Sequence, residues 1–341
     1  MAKIKSLILR ITEQCNLRCA YCYAGHDGSG HMSEETALHA VELCCPEGDS
    51  LRVQFTGGEP LLNLKVMEAV SAFGKATNRQ LRLAVQTNGT LLTPENCRRL
   101  SAMKCAVGVS LDGLIESNRY RIFPNGTPSF ATVAQGIKHL GETGMRCNLT
   151  TVVTDANAKN LGQLPDLALW LGNVVGVGLD LFRPLGMGAA ENLCPSEDDL
   201  SLGLAELVRK TIEIHDAGIP FRLRELERFK KQAIYGGCNG AYCYAQTNES
   251  LCIDKNGDCW PCSSLAGDKN YYLGNLRDGL PTVDRSLFSL SAPESCQNCV
   301  SFPHCGGGCP AGRSAGDEER DRLTCLMHKV LFHEFGGLNN T

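Results

Sequence analysis

The sequence predicts an α/β protein of repeated βα units around a parallel sheet, followed by a small cysteine-rich segment and a closing helix. Three observations predict it. Short β-rich runs alternate with helical stretches from residue 6 to about 235; the periodic helices stop after Tyr235, where Cys, Gly, Asn and Pro become frequent; and nineteen cysteines fall in spaced groups. The predicted strands are Ser6–Thr12, Leu51–Thr56, Leu81–Gln86, Cys105–Leu111, Met145–Val153 and Val175–Phe182. Between and after them the spacing of apolar residues predicts helices over Glu34–Cys45, Leu62–Thr77, Pro94–Met103, Phe130–Thr143, Leu161–Leu171, Glu197–Ala217 and Arg222–Tyr235. Ser33 before Glu34 and Thr93 before Pro94 are placed to cap two of these. A last amphipathic helix is expected over roughly Arg322–Phe335, and the natural division is 1–235 and 236–341.

A chain of 341 residues that is 43% hydrophobic can bury a substantial core. Its formal net charge of −4 and scattered Lys and Arg give no basic stripe to neutralise phosphates, so nucleic acid is not expected as a partner. No stretch approaches the roughly 18–20 apolar residues of a membrane span, and Met1 to Thr12 lacks the features of a secretory signal. The expected location is the cytoplasm, without a membrane partner. Thiols in a reducing compartment persist as thiols, and this many of them point to metal ligation. The 236–312 segment has few apolar runs of its own, so bound metal is the expected source of its stability.

Directly after the first predicted strand stands Cys15-Asn-Leu-Arg-Cys19-Ala-Tyr-Cys22. Three thiolates holding a [4Fe–4S] cube leave one iron open to an outside ligand, whereas electron-transfer clusters are closed by four. On spacing alone, a zinc site short of one ligand or three unrelated cysteines remain alternatives. Further motifs follow the later strands: Thr56-Gly57-Gly58-Glu59-Pro60, Gln86-Thr87-Asn88-Gly89 and Ser110-Leu111-Asp112-Gly113. Together with the cysteine triplet and Tyr21 before its last member, these resemble the radical S-adenosylmethionine (SAM) superfamily.

The resemblance implies a partial (β/α)6 TIM-like barrel with the motifs at the C-terminal ends of its strands, where barrels assemble active sites. It implies that Cys15, Cys19 and Cys22 hold the SAM cluster. The segment Thr56–Pro60 would contact the methionine amino group, and Ser110 and Arg121 the SAM carboxylate, with Arg119 as the competing arginine. Asn88 would face the ribose. The implied mechanism begins with SAM chelating the open iron; an electron then cleaves the sulfonium, and the 5′-deoxyadenosyl radical abstracts hydrogen from an unactivated carbon.

In the C-terminal segment, Cys243 is followed after thirteen residues by Gly257, and four more precede Cys262; Cys296-x2-Cys299-x5-Cys305-x3-Cys309 follows, with Cys325 beyond. The quartet alone would also suit a zinc ribbon. All seven cysteines resemble the SPASM domain over about 236–335. That resemblance implies two auxiliary [4Fe–4S] clusters, three clusters in all. The first would use Cys238, Cys243, Cys262 and Cys309, and the second Cys296, Cys299, Cys305 and Cys325. Cys252 and Cys259 compete with Cys238 for the eighth ligand position.

The eight other cysteines, Cys44, Cys45, Cys97, Cys105, Cys147, Cys194, Cys252 and Cys259, are expected to be small buried hydrophobes, with Cys259 the one to check for proximity to a cluster. His304 is expected to be a surface loop residue.

SPASM-bearing enzymes act on peptides or proteins, so the resemblance implies a peptide or protein substrate and a reductant such as flavodoxin or ferredoxin. A ribosomal-peptide maturase forming a crosslink is the leading expectation. The alternatives are an anaerobic sulfatase maturase making formylglycine, maturation of a redox cofactor or metalloenzyme, and a non-catalytic iron–sulfur electron carrier. Sulfatase maturases place a proton-accepting aspartate directly after the second SPASM cysteine; here that position is Ser263, which has no useful basicity near neutral pH. No substrate base is identifiable. The first strand begins near Ser6, which leaves no room for an N-terminal leader-binding module; recognition would use the barrel mouth, the SPASM surface or a separate leader-recognition protein.

Overall fold

The computed structural model describes residues 3–24, 29–234, 242–281, 294–296, 298–313 and 318–338. Six βα units come first: β1 (Ser6–Thr12), α1 (Glu34–Cys44), β2 (Ser50–Gly57), α2 (Leu64–Ala76), β3 (Gln80–Thr87), α3 (Pro94–Ala102), β4 (Ala106–Ser110), α4 (Phe130–Glu142), β5 (Cys147–Val153), α5 (Leu164–Leu171), β6 (Val174–Leu181) and α6 (Glu197–Asp216). The first strands alternate. Leu7, Leu9 and Ile11 of β1 and Leu51, Val53 and Phe55 of β2 are fully buried, whereas Ile8, Arg10 and Gln54 of the opposite face are partly open. Such alternation lets helices cover one face while the other lines a lumen.

All six pair in parallel in chain order, from Leu7 opposite Val53 through to Leu149 opposite Val177. The result is the expected α/β partial barrel. The two expected caps are present: the Ser33 hydroxyl accepts from the Thr36 N–H at 3.1 Å, and that of Thr93 from the Asn96 N–H at 3.2 Å.

Two predicted helices begin differently from expectation. The stretch before α2 is a 3-10 turn over Pro60–Asn63, and that before α5 another over Ala158–Gln163. At the first, the Glu59 carboxylate accepts from the Leu61 N–H at 3.0 Å and Pro60 opens the turn, which fixes the entry tightly. Residues expected to start the next helix instead form a two-residue strand, β7 (Arg222–Leu223), ahead of α7 (Arg224–Ile234).

The C-terminal segment adds three strands where none was expected: β8 (Ser250–Ile253), β9 (Asp258–Trp260) and β10 (Gly274–Asn275). β8 lies parallel against the free edge of β1, with Ser6 opposite Ser250 and Leu9 opposite Ile253. β9 and β10 continue antiparallel, giving one sheet in the order β10-β9-β8-β1-β2-β3-β4-β5-β6-β7. The short helices α8 (Phe302–Cys305) and α9 (Pro310–Arg313) lead to α10 (Glu318–Leu338), which packs on α6, with an Arg322–Glu197 ion pair at 2.7 Å between the two. No helix among the described residues is long and apolar enough to cross a membrane.

Candidate active site

The parallel register carries Cys15–Cys22, Gly57–Pro60, Asn88 and Ser110–Asp112 to one end of the sheet, just beyond the C-terminal ends of β1, β2, β3 and β4. The first two segments are in backbone contact. The Gly58 N–H donates to the Thr12 carbonyl at 2.8 Å and the Glu59 N–H to that of Gln14 at 2.7 Å. A Cβ on Gly57 would stand 2.1 Å from the Thr12 oxygen, and one on Gly58 2.1 Å from that of Gln14. Glycine is required at both positions by this approach.

Glu59 is fully buried and its carboxylate is consumed internally. One oxygen accepts from Leu61 N–H and from the Thr87 hydroxyl at 2.7 Å, the other from Asn88 N–H at 2.7 Å. It ties the end of β2 to the end of β3. Asn88 in turn points at the cysteine loop: its amide donates to Asn16 Oδ1 at 2.9 Å and to Cys15 Sγ at 3.7 Å. The Ser110 hydroxyl accepts from the Gln86 amide at 3.0 Å.

The two candidate arginines separate cleanly. Arg119 is at the surface, paired with Asp155 at 3.3 Å and stacked over Tyr120. Arg121 is 5% exposed, donates to the Tyr21 hydroxyl at 2.8 Å and leaves its Nε without a partner. The Tyr21 hydroxyl also bonds the Asp112 carboxylate, which the sequence motif did not single out. Burial opposes the charge on Arg121, but Tyr21, Cys19 and Asp112 outweigh it and hold its pKa well above the usual value.

Burial raises the Cys15 thiol pKa and, with Arg121 opposing, pushes that of Cys19 up to about 12. Both also feel the thiol of Cys22. Cys15 Sγ accepts from the Leu17 N–H at 3.4 Å. Thiols gathered in this way, with Cys15 Sγ already receiving N–H donors, fit a cluster held by their thiolates.

The C-terminal cysteines gather in two groups. Cys262, pushed up to about 11 by burial and then by its neighbours, interacts with Cys309 and Cys243. Cys305, raised by burial first, interacts with Cys296, Cys299 and Cys325, and Cys325 with Cys296 and Cys299. Cys238 lies outside the described residues. Among the described residues no three His, Cys, Asp or Glu side chains are set for a single metal ion; a cube holds its thiolates further apart than one ion does.

Register decides between the two other cysteines of this region. Cys259 lies opposite Ile253 and packs in the main core with Cys44, its Sγ donating to the Gly257 carbonyl at 3.4 Å. It is Cys252, opposite Ile8 on the other face, that interacts with Arg10 and Cys262. The expectation about Cys259 is therefore corrected: the pleat turns it away from the cluster ligands. His304 is also not a surface loop residue. It sits on α8 with its ring 5.7 Å from that of Phe229 and 5.1 Å from that of Phe332. Of the eight remaining cysteines, seven are buried and Cys194 is half-buried.

Residues 9–167 match the family model of the Radical SAM superfamily. The chain carries a radical SAM domain. An uncharacterized protein of Methanocaldococcus jannaschii is 29% identical over 277 residues, 81% of this chain and 90% of its own. The cysteine-type anaerobic sulfatase-maturating enzyme of Clostridium perfringens (strain 13 / Type A) is 25% identical over 365 residues, covering 97% of this chain and 96% of its own. Native anSMEcpe with bound AdoMet and the Kp18Cys peptide superposes with a TM-score of 0.81 at 24% identity, over 99% of this chain and 98% of that one. The likeness of fold to that structure therefore extends through the C-terminal segment that the family model leaves unmatched.

Inside this radical SAM barrel the lumen is polar. Gln86 bonds Ser110 and accepts from the Thr150 hydroxyl at 3.3 Å, and Arg224 bridges Asp180 at 3.1 Å and Glu225 at 2.8 Å. The Arg224 group was missed in the sequence, because its members lie on β6 and at the start of α7, where nothing in their local spacing relates them.

Proposed function

We propose that this radical SAM enzyme abstracts hydrogen from a peptide or protein substrate, and that it is a ribosomal-peptide maturase forming a crosslink. The observation that carries the radical reading is the convergence of Cys15, Cys19 and Cys22 with Gly57–Glu59, Ser110 and Arg121 at the mouth of a polar lumen. Cys15, Cys19 and Cys22 would hold the SAM cluster, which supplies the electron that cleaves SAM to the hydrogen-abstracting 5′-deoxyadenosyl radical. Arg121, with a free buried Nε, is the counter-charge for the SAM carboxylate, beside Ser110. The Gly57 and Gly58 backbone is suited to the amino group, since the Glu59 side chain is already committed; Asn88 would face the ribose only from its loop.

The chain divides into a radical SAM barrel over 1–235 and an auxiliary-cluster domain over 236–341, joined through β8 and β1. Cys238, Cys243, Cys262 and Cys309 would hold one auxiliary cluster, and Cys296, Cys299, Cys305 and Cys325 the other. The grouping of the thiols supports this assignment. Flavodoxin or ferredoxin in the cytoplasm would supply the electrons.

A peptide substrate is supported by the full-length likeness to a structure that holds one. The second reading, formylglycine formation in a sulfatase, is favoured by the relative in Clostridium perfringens. Against it stands Ser263, which follows Cys262 at the start of a short 3-10 turn and cannot accept a proton near neutral pH.

The test is to incubate the anaerobically reconstituted enzyme with SAM, reductant and the short peptides encoded beside its gene, following peptide mass and 5′-deoxyadenosine together. A peptide that loses two hydrogens and resists fragmentation between two residues is the expected product. Conversion of a sulfatase peptide to formylglycine, with the encoded peptides unchanged, would establish the second reading instead.

A further inference from the structure

The segment that leaves β6 touches both cysteine-bearing ends of the molecule. Phe182 is anchored by its N–H to the Val153 carbonyl at 3.0 Å, and its own carbonyl accepts from Arg320 of α10 at 3.1 Å. Five residues on, the Met187 N–H donates to the Cys22 carbonyl at 2.8 Å. Gly186, at φ +56°, allows the approach: a Cβ there would stand 2.5 Å from the Tyr23 oxygen and 2.7 Å from that of Cys22. The strap is thus laid along the loop that carries Cys22. Between these two anchors, Arg183 turns the other way and donates from Nη2 to Cys309 Sγ at 3.6 Å.

Asp180, the nearest acidic neighbour of Arg183 in sequence, is already paired with Arg224 at 3.1 Å. The Arg183 guanidinium lies within electrostatic reach of Cys309 first, then of Asp180, Cys262 and Tyr23, and together these outweigh the cost of its burial; its hydrogen bond goes to the Cys309 sulfur.

We propose that Arg183 is a positioning residue for the auxiliary cluster of Cys243, Cys262 and Cys309, and that its hydrogen bond and charge at Cys309 raise the reduction potential of that cluster. This rests on reading Cys309 as a cluster ligand. One-electron reduction adds one negative charge to a cluster, so a cation and an N–H donor at a ligand sulfur stabilise the reduced form. The strap fixes the guanidinium from the barrel side, so the potential of the C-terminal site is set by a residue of the radical SAM half.

The experiment uses the full-length, anaerobically reconstituted protein without substrate, and reads iron content and each midpoint by dithionite titration followed by EPR. Arg183→Met should retain its iron and lower one midpoint enough to cut the reduced-to-oxidised ratio of that cluster about tenfold at a fixed potential, about 59 mV for one electron. The other two midpoints should stay in place. Cys309→Ala should lose iron from that same cluster. Full iron and three unchanged midpoints in Arg183→Met, with iron lost in Cys309→Ala, would overturn the inference and leave the ligand reading standing. Full iron in Cys309→Ala would overturn both. Should Arg183→Met lose iron, Arg183→Gln decides, because it keeps an amide donor and drops the charge: a lowered midpoint supports the role and an unchanged one refutes it.

Discussion

Both oxygens of Glu59 accept hydrogen bonds in a site closed to water, so each bond counts for more than on a surface. In Glu59→Gln the amide oxygen can keep Leu61 and Thr87, but the amide nitrogen then faces the Asn88 N–H, donor against donor. The expected cost is about 1–3 kcal/mol in chemical denaturation of the variant against the parent; a variant with an unchanged midpoint would show that the carboxylate is not the tie between β2 and β3. His328 makes a pH-dependent contribution. It is 5% exposed on α10, packed among Phe229 and Tyr242, with neither ring nitrogen partnered, and burial lowers its pKa from the ordinary 6.5 to about 4. The unfolded chain therefore takes up a proton first as pH falls below 6.5, and stability present above that pH is lost toward pH 4, by up to roughly 3 kcal/mol. His328→Gln should flatten the pH slope of stability in that window, and equal slopes would refute the assignment. At this scale the sequence spoke through spacing: the cysteines and glycines announce themselves because cluster and turn geometry demand fixed intervals. The bonds that join Asp112 and Arg121 through Tyr21 were not legible, because Tyr21 lies far off in the chain although each residue stood in or beside a motif.

Elements followed sequence closely where local forces define them. In α6 the Ser196 hydroxyl accepts from the Asp199 N–H at 3.2 Å, and Glu197, Asp198 and Asp199 fill the first turn, favourably placed on the helix dipole. Ser196→Ala should lower stability by about 1 kcal/mol, read as a shift in thermal midpoint without change in the helical spectrum at low temperature. By contrast, β7, β8 and β10 have two to four residues each and carry no periodic pattern that could identify them. β8 is a strand because β1 offers it an edge, and that edge cannot be read from Ser250–Ile253. The same non-local register decided that Cys252 and not Cys259 faces the ligands, a distinction that sequence spacing ranked the other way. The 3-10 entries at Pro60 and Ala158 blurred two helix starts for a smaller reason, since both turns share the helix's apolar spacing over a single turn.

Across the whole molecule, two kinds of cohesion divide the work. The main apolar core runs from Leu7 through Phe229 and takes in Leu251, Ile253, Cys259 and Leu276 as well as Leu323, Met327 and Leu331 of α10, whereas Leu265 and Ala311 form a small separate cluster beside Cys262 and Cys309. The loops around Cys262 and Cys309, with so little apolar burial of their own, depend on their metal. Removal of iron by a chelator should open the loops around Cys262 and Cys299–Cys309 to limited proteolysis while the fragment containing β1 to β6 stays resistant. Cleavage spread evenly along the chain would show that the C-terminal segment holds by packing alone.

The order of strands in the sheet is also at odds with the order of their synthesis. β1 leaves the ribosome first, yet one of its two neighbours, β8, emerges only after six other strands have been made. Until then Ser6–Leu9 presents an unpaired hydrogen-bonding edge, open to the wrong partner in a crowded cell. Closing that edge requires contact between Ser6 and Ser250, which makes it a late, slow event of high sequence separation. A nascent chain truncated before Ser250 would therefore carry seven paired parallel strands with the β1 edge open, and chaperones that shield strand edges would be expected to hold it until Ser250–Ile253 has emerged.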